Sequence, residues 1–295
     1  MAGTKTVACI GAIMTLSGCS HSGSQPALRV GSKNFTEQVV LGEIIAQHLE
    51  HRLHRTVDRS LNLGGTLLAH QALLNRQIDL YPEYTGTALA AILKDSPGAA
   101  DGVPVLERVR SEYRRRFRIE WLAPLGVDNG FAIVVRGPDA RRRHLETLSD
   151  AGGVAEGWKL GAGYEFEQRA DGLAALKNTY HLRFPAAPVS MDLGLLYRAL
   201  EQRQVDMIAA NATDGLLSRL DLKVLTDDRH AFPPYQVCIA ARQDSLARIP
   251  GLEAALRELS DRFTNRTMQQ LNYKVDAEHR PVSEVAVDFL KQSGM

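Results

Sequence analysis

The sequence has few cysteines and no long hydrophobic run. It contains three cysteines among 295 residues, namely Cys9, Cys19 and Cys238. The first two fall in an apolar N-terminal segment, so the rest of the chain holds Cys238 alone and cannot form an intramolecular disulfide. No apolar stretch reaches the roughly 18 residues that a membrane-spanning helix needs. We therefore expect neither disulfides nor a transmembrane helix, and we expect Cys238 to be buried in a strand.

The sequence also lacks a strong charge of either sign. Its formal net charge is +1 at pH 7, which gives no overall field that would attract nucleic acid or acidic lipid. Arginine-rich stretches occur at residues 114–116 and 141–143, but acidic residues are interleaved nearby. We interpret both stretches as solvated surface and predict no nucleic-acid partner.

Motifs for catalysis and for cofactors are missing as well. The sequence has no Gly-x-Ser-x-Gly elbow, no His-Glu-x-x-His motif, and no phosphate-binding loop at residues 64–66 (GGT). His48, His51 and His54 are three residues apart, but no carboxylate joins them. We therefore predict a solvent-facing row on a helix rather than a metal site. The protein is predicted to be no enzyme and to use neither a cofactor nor a metal.

The N-terminal segment is predicted to direct export and anchoring. Lys5 precedes an apolar run that ends in the letters LSGC at residues 16–19. This is the layout of a secretory signal, and its ending resembles a bacterial lipobox. We expect residues 1–18 to be a lipoprotein signal peptide, Cys19 to be lipidated and residues 19–27 to be a tether; an uncleaved start is the alternative. The predicted location is periplasmic or at the cell surface, anchored to the membrane.

The chain is organised around residues 78–87 (IDLYPEYTGT). A short buried strand is predicted at residues 78–80, followed by a turn that Pro82 fixes. The turn gathers aromatic rings and hydroxyls at a strand end, which is where ligands bind in open α/β sheets.

A segment of similar sequence occurs further along the chain. Residues 74–80 (LNRQIDL) are matched by residues 201–207 (EQRQVDM), and each copy follows a helical pattern. Tyr84 and Asn211 occupy equivalent positions in the polar loops that come next. Two similar α/β units, each ending in a polar loop, predict two lobes that face each other across a cleft.

A long helix is predicted after the first strand. Asn34 would be its N-cap, with Glu37 three residues later in a capping box, and Lys33 flanks an N-terminus suited to an anionic group. Its predicted buried stripe consists of Val40, Leu41, Ile44, Ile45, Leu49 and Leu53.

Five segments of the sequence resemble the osmoprotectant-binding proteins, which are the glycine betaine, carnitine and choline receptors of ATP-driven (ABC) importers. The segments are residues 30–38 (VGSKNFTEQ), 62–66 (NLGGT), 78–87 (IDLYPEYTGT), 213–215 (TDG) and 232–235 (FPPY). They occur in the family's order and extend through the chain after the predicted tether.

The resemblance implies an α/β fold of the two-lobed periplasmic-binding-protein type (type II). The chain would cross the hinge twice, near Asp128 and Tyr235. Lobe 1 would then comprise residues 28–127 plus 236–295, and lobe 2 would comprise residues 128–235.

The resemblance also implies how a ligand is held. In that family aromatic rings surround a quaternary ammonium, which attracts ring faces although it cannot donate hydrogen bonds. Basic and hydroxyl groups hold a carboxylate, for which arginine offers a two-pronged donor. Motif positions assign the cage to Tyr84 and Tyr235, the carboxylate end to Lys33, Thr87 and Arg169, and an extra donor to Ser32.

Two positions depart from the family pattern at the cation end. After Asn129, where the family has Asn-x-Tyr, this chain has Phe131, which keeps the ring but loses the hydroxyl. Asn211 replaces a common tyrosine, and its amide donates and accepts hydrogen bonds instead. Each lost ring contact would weaken a trimethylammonium site by about 0.5–2 kcal/mol. Tyr164 is an alternative source of the missing ring.

The predicted function is that of an extracytoplasmic solute receptor. It would bind a small quaternary-ammonium or betaine-type zwitterion in the cleft between the lobes and deliver it to the permease and ATPase subunits of an ABC importer. Hinge closure around the ligand would be the mechanism, and a monomer is expected. Another amino-acid-derived betaine, such as a histidine betaine, is the alternative ligand, and ligand sensing without transport is the alternative function.

Overall fold

The computed structural model describes residues 1, 3, 27–95 and 103–295. Cys19 and nearly all of the predicted signal peptide and tether lie outside the described residues. The described part contains two five-stranded sheets, each with parallel and antiparallel pairs, together with many helices. The predicted α/β class is confirmed. Within these ranges, no helix combines the length and apolar character needed to cross a membrane.

The strands of the described chain are short. They are β1 (Arg29–Gly31), β2 (Asp58–Ser60), β3 (Leu80–Tyr84), β4 (Ile119–Trp121), β5 (Phe131–Arg136), β6 (Leu160–Ala162), β7 (Val189–Ser190), β8 (Met207–Asn211), β9 (Leu222–Leu225) and β10 (Val237–Arg242). The first sheet has the order β2-β1-β3-β10-β4, and the second sheet has the order β7-β6-β8-β5-β9.

The α-helices connect these strands. They are α1 (Thr36–Leu53), α2 (Thr66–Leu74), α3 (Thr85–Thr87), α4 (Val105–Phe117), α5 (Gly137–Arg143), α6 (Leu148–Ala151), α7 (Tyr164–Gln168), α8 (Ala175–Tyr180), α9 (Leu193–Glu201), α10 (Gln243–Arg248), α11 (Leu252–Arg257), α12 (Asn265–Asp276) and α13 (Val282–Ser293). Two π-helical segments, Ala88–Leu93 and Ala170–Ala174, and two 3-10 turns, Ala155–Gly157 and Gly215–Ser218, complete the set.

The chain passes between the two sheets twice. It leaves the first sheet after β4 and enters the second at β5, then returns between β9 and β10. An isolated bridge pairs Asp128 with Gln236, so the two connections run side by side. The cleft is therefore bordered by two antiparallel connecting segments.

The predicted internal repeat is confirmed. Helix α2 leads into β3, and helix α9 leads into β8. Tyr84 is the last residue of β3, and Asn211 is the last residue of β8. The two side chains that the sequence placed in equivalent positions thus lie at equivalent strand ends.

The repeat extends to the hydrogen bonds that start the two strands. Asp79 accepts a hydrogen bond from the backbone N–H of Arg29 (2.8 Å), and Asp206 accepts one from that of Lys159 (3.0 Å). An arginine at the end of the neighbouring strand pairs with each aspartate. Each charged pair thus anchors one strand that carries the cleft residues.

The turn predicted at Pro82 is wrong, because Pro82 lies inside strand β3. Proline is tolerated in a strand where its missing N–H is not required. On one side of β3, the pairing with β1 ends at Leu80, before Pro82 is reached. On the other side, Ile239 of β10 lies opposite Pro82, and the carbonyl oxygen of Ile239 accepts its hydrogen bond from the backbone N–H of Leu122 instead. The strand therefore continues through Pro82 and carries Tyr84 further into the cleft.

The capping box predicted for α1 is also wrong. The helix begins at Thr36, and its N-cap residue is Phe35, whose side chain makes no capping hydrogen bond. Glu37 is buried in the interior instead, where it meets other polar side chains. The predicted apolar stripe is confirmed, although Leu53 is only partly buried.

The solvent-facing histidine row is wrong at one of its three positions. His48 is fully buried, and its Nε2 lies 2.9 Å from the backbone oxygen of Ala255 in α11. His51 and His54 are exposed, as predicted. In the described ranges, no cluster of three or more His, Cys, Asp or Glu side chains could hold a metal ion.

Buried hydrophobic residues pack on both faces of the two sheets. Trp121 belongs to the core beside the first sheet, and Trp158 to the core beside the second. Cys238 is buried in β10, as predicted, and burial raises the pKa of its thiol to about 12. This thiol is therefore unreactive at neutral pH.

Candidate ligand-binding cleft

A cleft of about 770 Å³ is lined by residues from both sheets and their connections. The lining includes eight of the nine predicted ligand-binding residues, namely Lys33, Tyr84, Thr87, Asn129, Phe131, Arg169, Asn211 and Tyr235. Ser32 is the exception. Its hydroxyl donates to the backbone oxygen of Lys33 (3.0 Å) and accepts from the backbone N–H of Asn62 (2.9 Å), so Ser32 holds the segment before α1 in place.

Lys33 is buried between β1 and α1, and its charge is paired. Its Nζ lies 2.6 Å from Oε1 of Glu83 and 3.5 Å from Oγ1 of Thr66. The hydroxyl of Tyr81 also donates to Glu83 (2.9 Å). A buried ion pair is tolerated when such hydrogen bonds satisfy its remaining groups. Lys33 is therefore fixed in position within a neutral pair and retains donor capacity.

Arg169 is held in a similar way on the other side of the cleft. Its guanidinium forms a two-pronged pair with Asp171, with Nε 2.9 Å from Oδ1 and Nη2 2.5 Å from Oδ2. Its Nη1 donates to Oγ1 of Thr87 at 3.1 Å. Tyr235 donates its hydroxyl to the same carboxylate (2.7 Å). Asp171 thus positions both a cation and a ring.

Phe131 lies at the centre of an aromatic cluster. It makes edge contacts with Phe166, Phe232 and Tyr235, with centroid separations of 4.9, 5.5 and 5.4 Å. The guanidinium of Arg169 lies 5.2 Å from the Phe131 centroid and 5.7 Å from that of Tyr235. A cation therefore already lies over ring faces in this part of the cleft.

Tyr84 contributes a second group of rings. It stacks on Phe35 with centroids 6.1 Å apart, and Nζ of Lys33 lies 4.6 Å from its ring centroid. Its hydroxyl donates to Oε1 of Glu37 at 2.7 Å. Both ends of this ring are thereby fixed.

Glu37 is a buried carboxylate that joins the two sides of the cleft. It accepts hydrogen bonds from Tyr84, from Nδ2 of Asn129 (2.9 Å) and from the hydroxyl of Thr213 on the second-sheet side. Burial raises the pKa of Glu37, and the hydrogen bonds from the surrounding side chains, Thr213 first among them, oppose that rise.

Asn211 and Asp214 form a polar pair at the end of β8. The backbone N–H of Asn211 donates to Oδ2 of Asp214 (3.1 Å), and its Nδ2 lies 3.4 Å from Oδ1. The hydroxyl of Tyr197 donates to Oδ2 at 2.9 Å. Burial raises the pKa of Asp214 to about 6.

The two sides of the cleft also touch at its edges. Glu165 of α7 accepts hydrogen bonds from the backbone N–H (2.6 Å) and the hydroxyl (3.1 Å) of Thr66 at the start of α2. On another edge, Gln269 and Asn272 donate to the backbone oxygens of Ala212 and Thr213, both at 2.9 Å. The two sides of the cleft are therefore in direct contact at two of its edges.

Several cleft residues were not identified from the sequence. Asp171 has only its spacing of two from Arg169 as a signal, and Glu37 was assigned to a helix cap. Asp214 lies in the TDG segment at residues 213–215, but the resemblance assigned it no contact with the ligand. Tyr164 does line the cleft, where its hydroxyl packs against Gly65, but 47% of the residue is exposed.

The raised pKa of Asp214 predicts how stability depends on pH. A carboxyl group with a raised folded-state pKa stabilises the fold below its ordinary pKa of 3.8 and loses that contribution as pH rises through about 6. We expect Asp214→Asn to raise the melting temperature relative to wild type by several degrees more near pH 8 than near pH 4. Thermal unfolding of both proteins at the two pH values measures this. An equal difference at both values would contradict the assignment.

Comparisons with known proteins agree with this geometry. The profile of the family described as "Substrate binding domain of ABC-type glycine betaine transport system" matches residues 26–292. The chain belongs to this family. Its members are extracytoplasmic proteins that work with a permease and an ATPase, and they are not enzymes.

Individual relatives are similar over most of this chain. The chain is 33% identical over 269 residues to the ergothioneine transport permease/ergothioneine binding protein EgtU of Helicobacter pylori (strain G27), and the match covers 91% of this chain and 48% of that protein. The chain thus spans about half the length of that relative. It is 32% identical to the carnitine transport binding protein OpuCC of Listeria monocytogenes serotype 1/2a (strain 10403S), with coverage of 94% and 92%.

A solved structure supports the same fold. The crystal structure of a glycine betaine/carnitine/choline ABC transporter matches with a TM-score of 0.75 and 28% identity, covering 90% of this chain and 98% of that one. The predicted two-lobed, type II binding-protein fold is confirmed. The chain is a substrate-binding component of an ABC importer.

Proposed function

We propose that the cleft binds a small betaine-type zwitterion. The observation that supports this most is the presence, in one cleft, of two paired cations beside two groups of aromatic rings. Lys33 is neutralised by Glu83 and Arg169 by Asp171. A cleft with this balance suits a net-neutral ligand better than an anion, whose charge would remain uncompensated.

In this proposal, the carboxylate of the ligand binds between Lys33, Thr87 and Arg169. Arg169 already donates to Thr87, which leaves the hydrogen of that hydroxyl for the ligand. The internal carboxylates hold both cations in place, so little side-chain entropy is lost on binding. Ser32 supports this end only by fixing the backbone beside Lys33.

The methylated ammonium of the ligand would lie against Tyr84, Phe131 and Tyr235. These rings are buried or half-buried and are held by the hydrogen bonds to Glu37 and Asp171 and by edge contacts. Attraction to ring faces selects a cation that cannot donate hydrogen bonds. Asn129 contributes by holding Glu37 rather than by touching the cation.

We assign residues 28–127 plus 236–295 to lobe 1 and residues 128–235 to lobe 2. The adjacent connections at Asp128 and Gln236 would form the hinge, since a β-bridge pairs them side by side where the chain crosses. The ligand would stabilise the closed form by touching both lobes. Contacts of Glu165 with Thr66 would hold the mouth shut.

This closure predicts an effect of Glu165→Gln. The substitution weakens two hydrogen bonds between the lobes, and bonds to a charged group are worth about 1.5–3 kcal/mol. We expect ligand dissociation to accelerate about tenfold while association changes less than about twofold. Stopped-flow fluorescence measures both rates, and exposed Glu156→Gln is the matched control. An unchanged dissociation rate would contradict the proposal that the hydrogen bonds between Glu165 and Thr66 hold the cleft closed.

We further propose that the protein is exported and held at the membrane by a lipid on Cys19. The signal-like segment and its LSGC ending support this. The permease and ATPase of one importer would be its partners, and it would act as a monomer. Ligand sensing without transport is the alternative function. The lipid anchor is tested by a Cys19→Ala variant, and a variant that still fractionates with membranes would contradict the anchor.

Ligand class is tested by thermal unfolding with compounds that differ in one group. A ligand that binds only the folded state raises the melting temperature. Glycine betaine and other betaines are expected to raise it, whereas glycine and acetate are not. An equal rise with glycine would show that the rings do not select methylated cations.

A further inference from the structure

Part of the cleft lining comes from the start of α9 and its surroundings, namely Met191, Leu193, Gly194, Tyr197 and Leu216, and we call this part the side chamber. The whole cleft, at about 770 Å³, lies in the upper part of the roughly 300–1,000 Å³ range of pockets that hold drug-sized molecules. Glycine betaine is much smaller than that. The cleft therefore has room for a substituent on the ligand.

Asn211 and Asp214 present acceptor oxygens to this part of the cleft. Oδ2 of Asp214 accepts from Tyr197 and from the backbone of Asn211, but Oδ1 has only the 3.4 Å contact with Asn211 Nδ2. Among the described residues, the side-chain oxygen of Asn211 has no hydrogen-bond partner. Both side chains line the cleft. Two acceptors are thus available to a donor on a ligand.

The two copies of the internal repeat present opposite hydrogen-bonding groups to the cleft, donors in one copy and acceptors in the other. Tyr84 ends β3 and Thr87 lies three residues later, just as Asn211 ends β8 and Asp214 lies three residues later. Near Thr87 the polar groups are the donors of Arg169. At the equivalent place in lobe 2, a carboxylate and an amide oxygen accept. The two halves of the repeat thus suit opposite ends of a ligand.

We propose that Asn211 and Asp214 form an acceptor subsite that selects betaines carrying an additional N–H donor, whose substituent occupies the side chamber. The inference rests on the proposed betaine function. A trimethylammonium group has no N–H and forms no hydrogen bond there. A ring N–H, such as that of an imidazole, would form a charge-assisted hydrogen bond with Asp214. A site built this way rejects ligands without the donor, because its acceptors stay unpaired.

Calorimetric titration of the full chain with three compounds tests the subsite. The compounds are a histidine betaine, its ring-N-methylated analogue without an N–H, and glycine betaine. We expect the histidine betaine to bind at least about tenfold more tightly than the methylated analogue, because one hydrogen bond to a charged group contributes an affinity difference of about that size. Equal affinity for these two compounds would overturn the proposal.

Variants assign the selectivity to the two residues. Asp214→Asn is expected to weaken the histidine betaine about tenfold and to change glycine betaine less than about threefold. Asn211→Tyr, which adds a ring, is expected to strengthen glycine betaine and weaken the histidine betaine. Glu201→Gln, at an exposed carboxylate at the far end of α9 and outside the cleft lining, is the control and should change neither. Equal losses for both ligands in Asp214→Asn would contradict selection by this residue.

The outcomes separate this inference from the function beneath it. If no betaine binds the wild type, both fail. If glycine betaine binds as tightly as the histidine betaine and neither variant shifts the ratio, the subsite fails and the betaine function stands. Thermal unfolding of each variant verifies folding. Asp214→Asn alone tests the subsite if Asn211→Tyr does not fold.

Discussion

Replacement of Arg169 by alanine is expected to reduce the affinity for a carboxylated betaine by about a hundredfold or more. The substitution removes the donors aimed at the carboxylate and leaves Asp171, which is buried, without its cation. Truncation of one partner in a buried charge pair costs about 2–5 kcal/mol. Calorimetric titration of wild type and variant with glycine betaine measures the loss.

Choline provides the internal control for this variant, because it has no carboxylate. Its affinity is expected to fall much less than that of glycine betaine. Arg169→Lys should recover only part of the binding, since lysine cannot reproduce the two-pronged geometry. Equal losses for choline and glycine betaine would show that Arg169 acts through the fold rather than through the carboxylate.

Replacement of Tyr84 by alanine is expected to weaken every methylated ligand by about thirtyfold. A desolvated cation–π contact is worth about 2 kcal/mol, and the ring of Tyr84 is buried against Phe35 at the cleft. Glycine betaine and choline should lose similar amounts, in contrast to their behaviour with Arg169→Ala. Titration of both ligands measures this.

Tyr84→Phe is the matched control for the ring. It keeps the ring and removes only the hydrogen bond to Glu37. We expect its ligand affinities to stay within about threefold of wild type and its melting temperature to fall, because Glu37 loses one of its partners. A loss in Tyr84→Phe as large as that in Tyr84→Ala would assign the effect to Glu37 instead of the ring.

Local patterns predicted the repeat and the positions of most cleft residues. The matched segments 74–80 and 201–207 carry the same sequence of helix, turn and strand, so Tyr84 and Asn211 could be placed at equivalent strand ends. Arg169 and Tyr235 could be placed only by the family resemblance, because no periodic pattern marks them.

The errors came from features that tertiary contacts decide. Pro82 favours a turn locally, yet the neighbouring strand needs no N–H from it. Glu37 fits a capping box, but Tyr84, Asn129 and Thr213 from distant segments meet it in the interior. His48 could not be assigned to the interior before α11 was known to pack on α1.

The partners of the cleft cations were beyond local patterns for the same reason. Glu83 lies 50 residues from Lys33, so nothing near Lys33 in the sequence announces its pairing. The neutralisation of both cleft cations, on which the choice of a zwitterion over an anion rests, is evident only when the two buried pairs are seen together.

The most direct measurement is calorimetric titration of the purified protein with glycine betaine, carnitine, choline and a histidine betaine. We predict binding of at least one carboxylated betaine, weakened about thirtyfold by Tyr84→Ala and about a hundredfold or more by Arg169→Ala, with choline weaker than the best betaine. The absence of heat with all four ligands, or an affinity that neither substitution changes, would contradict the betaine site.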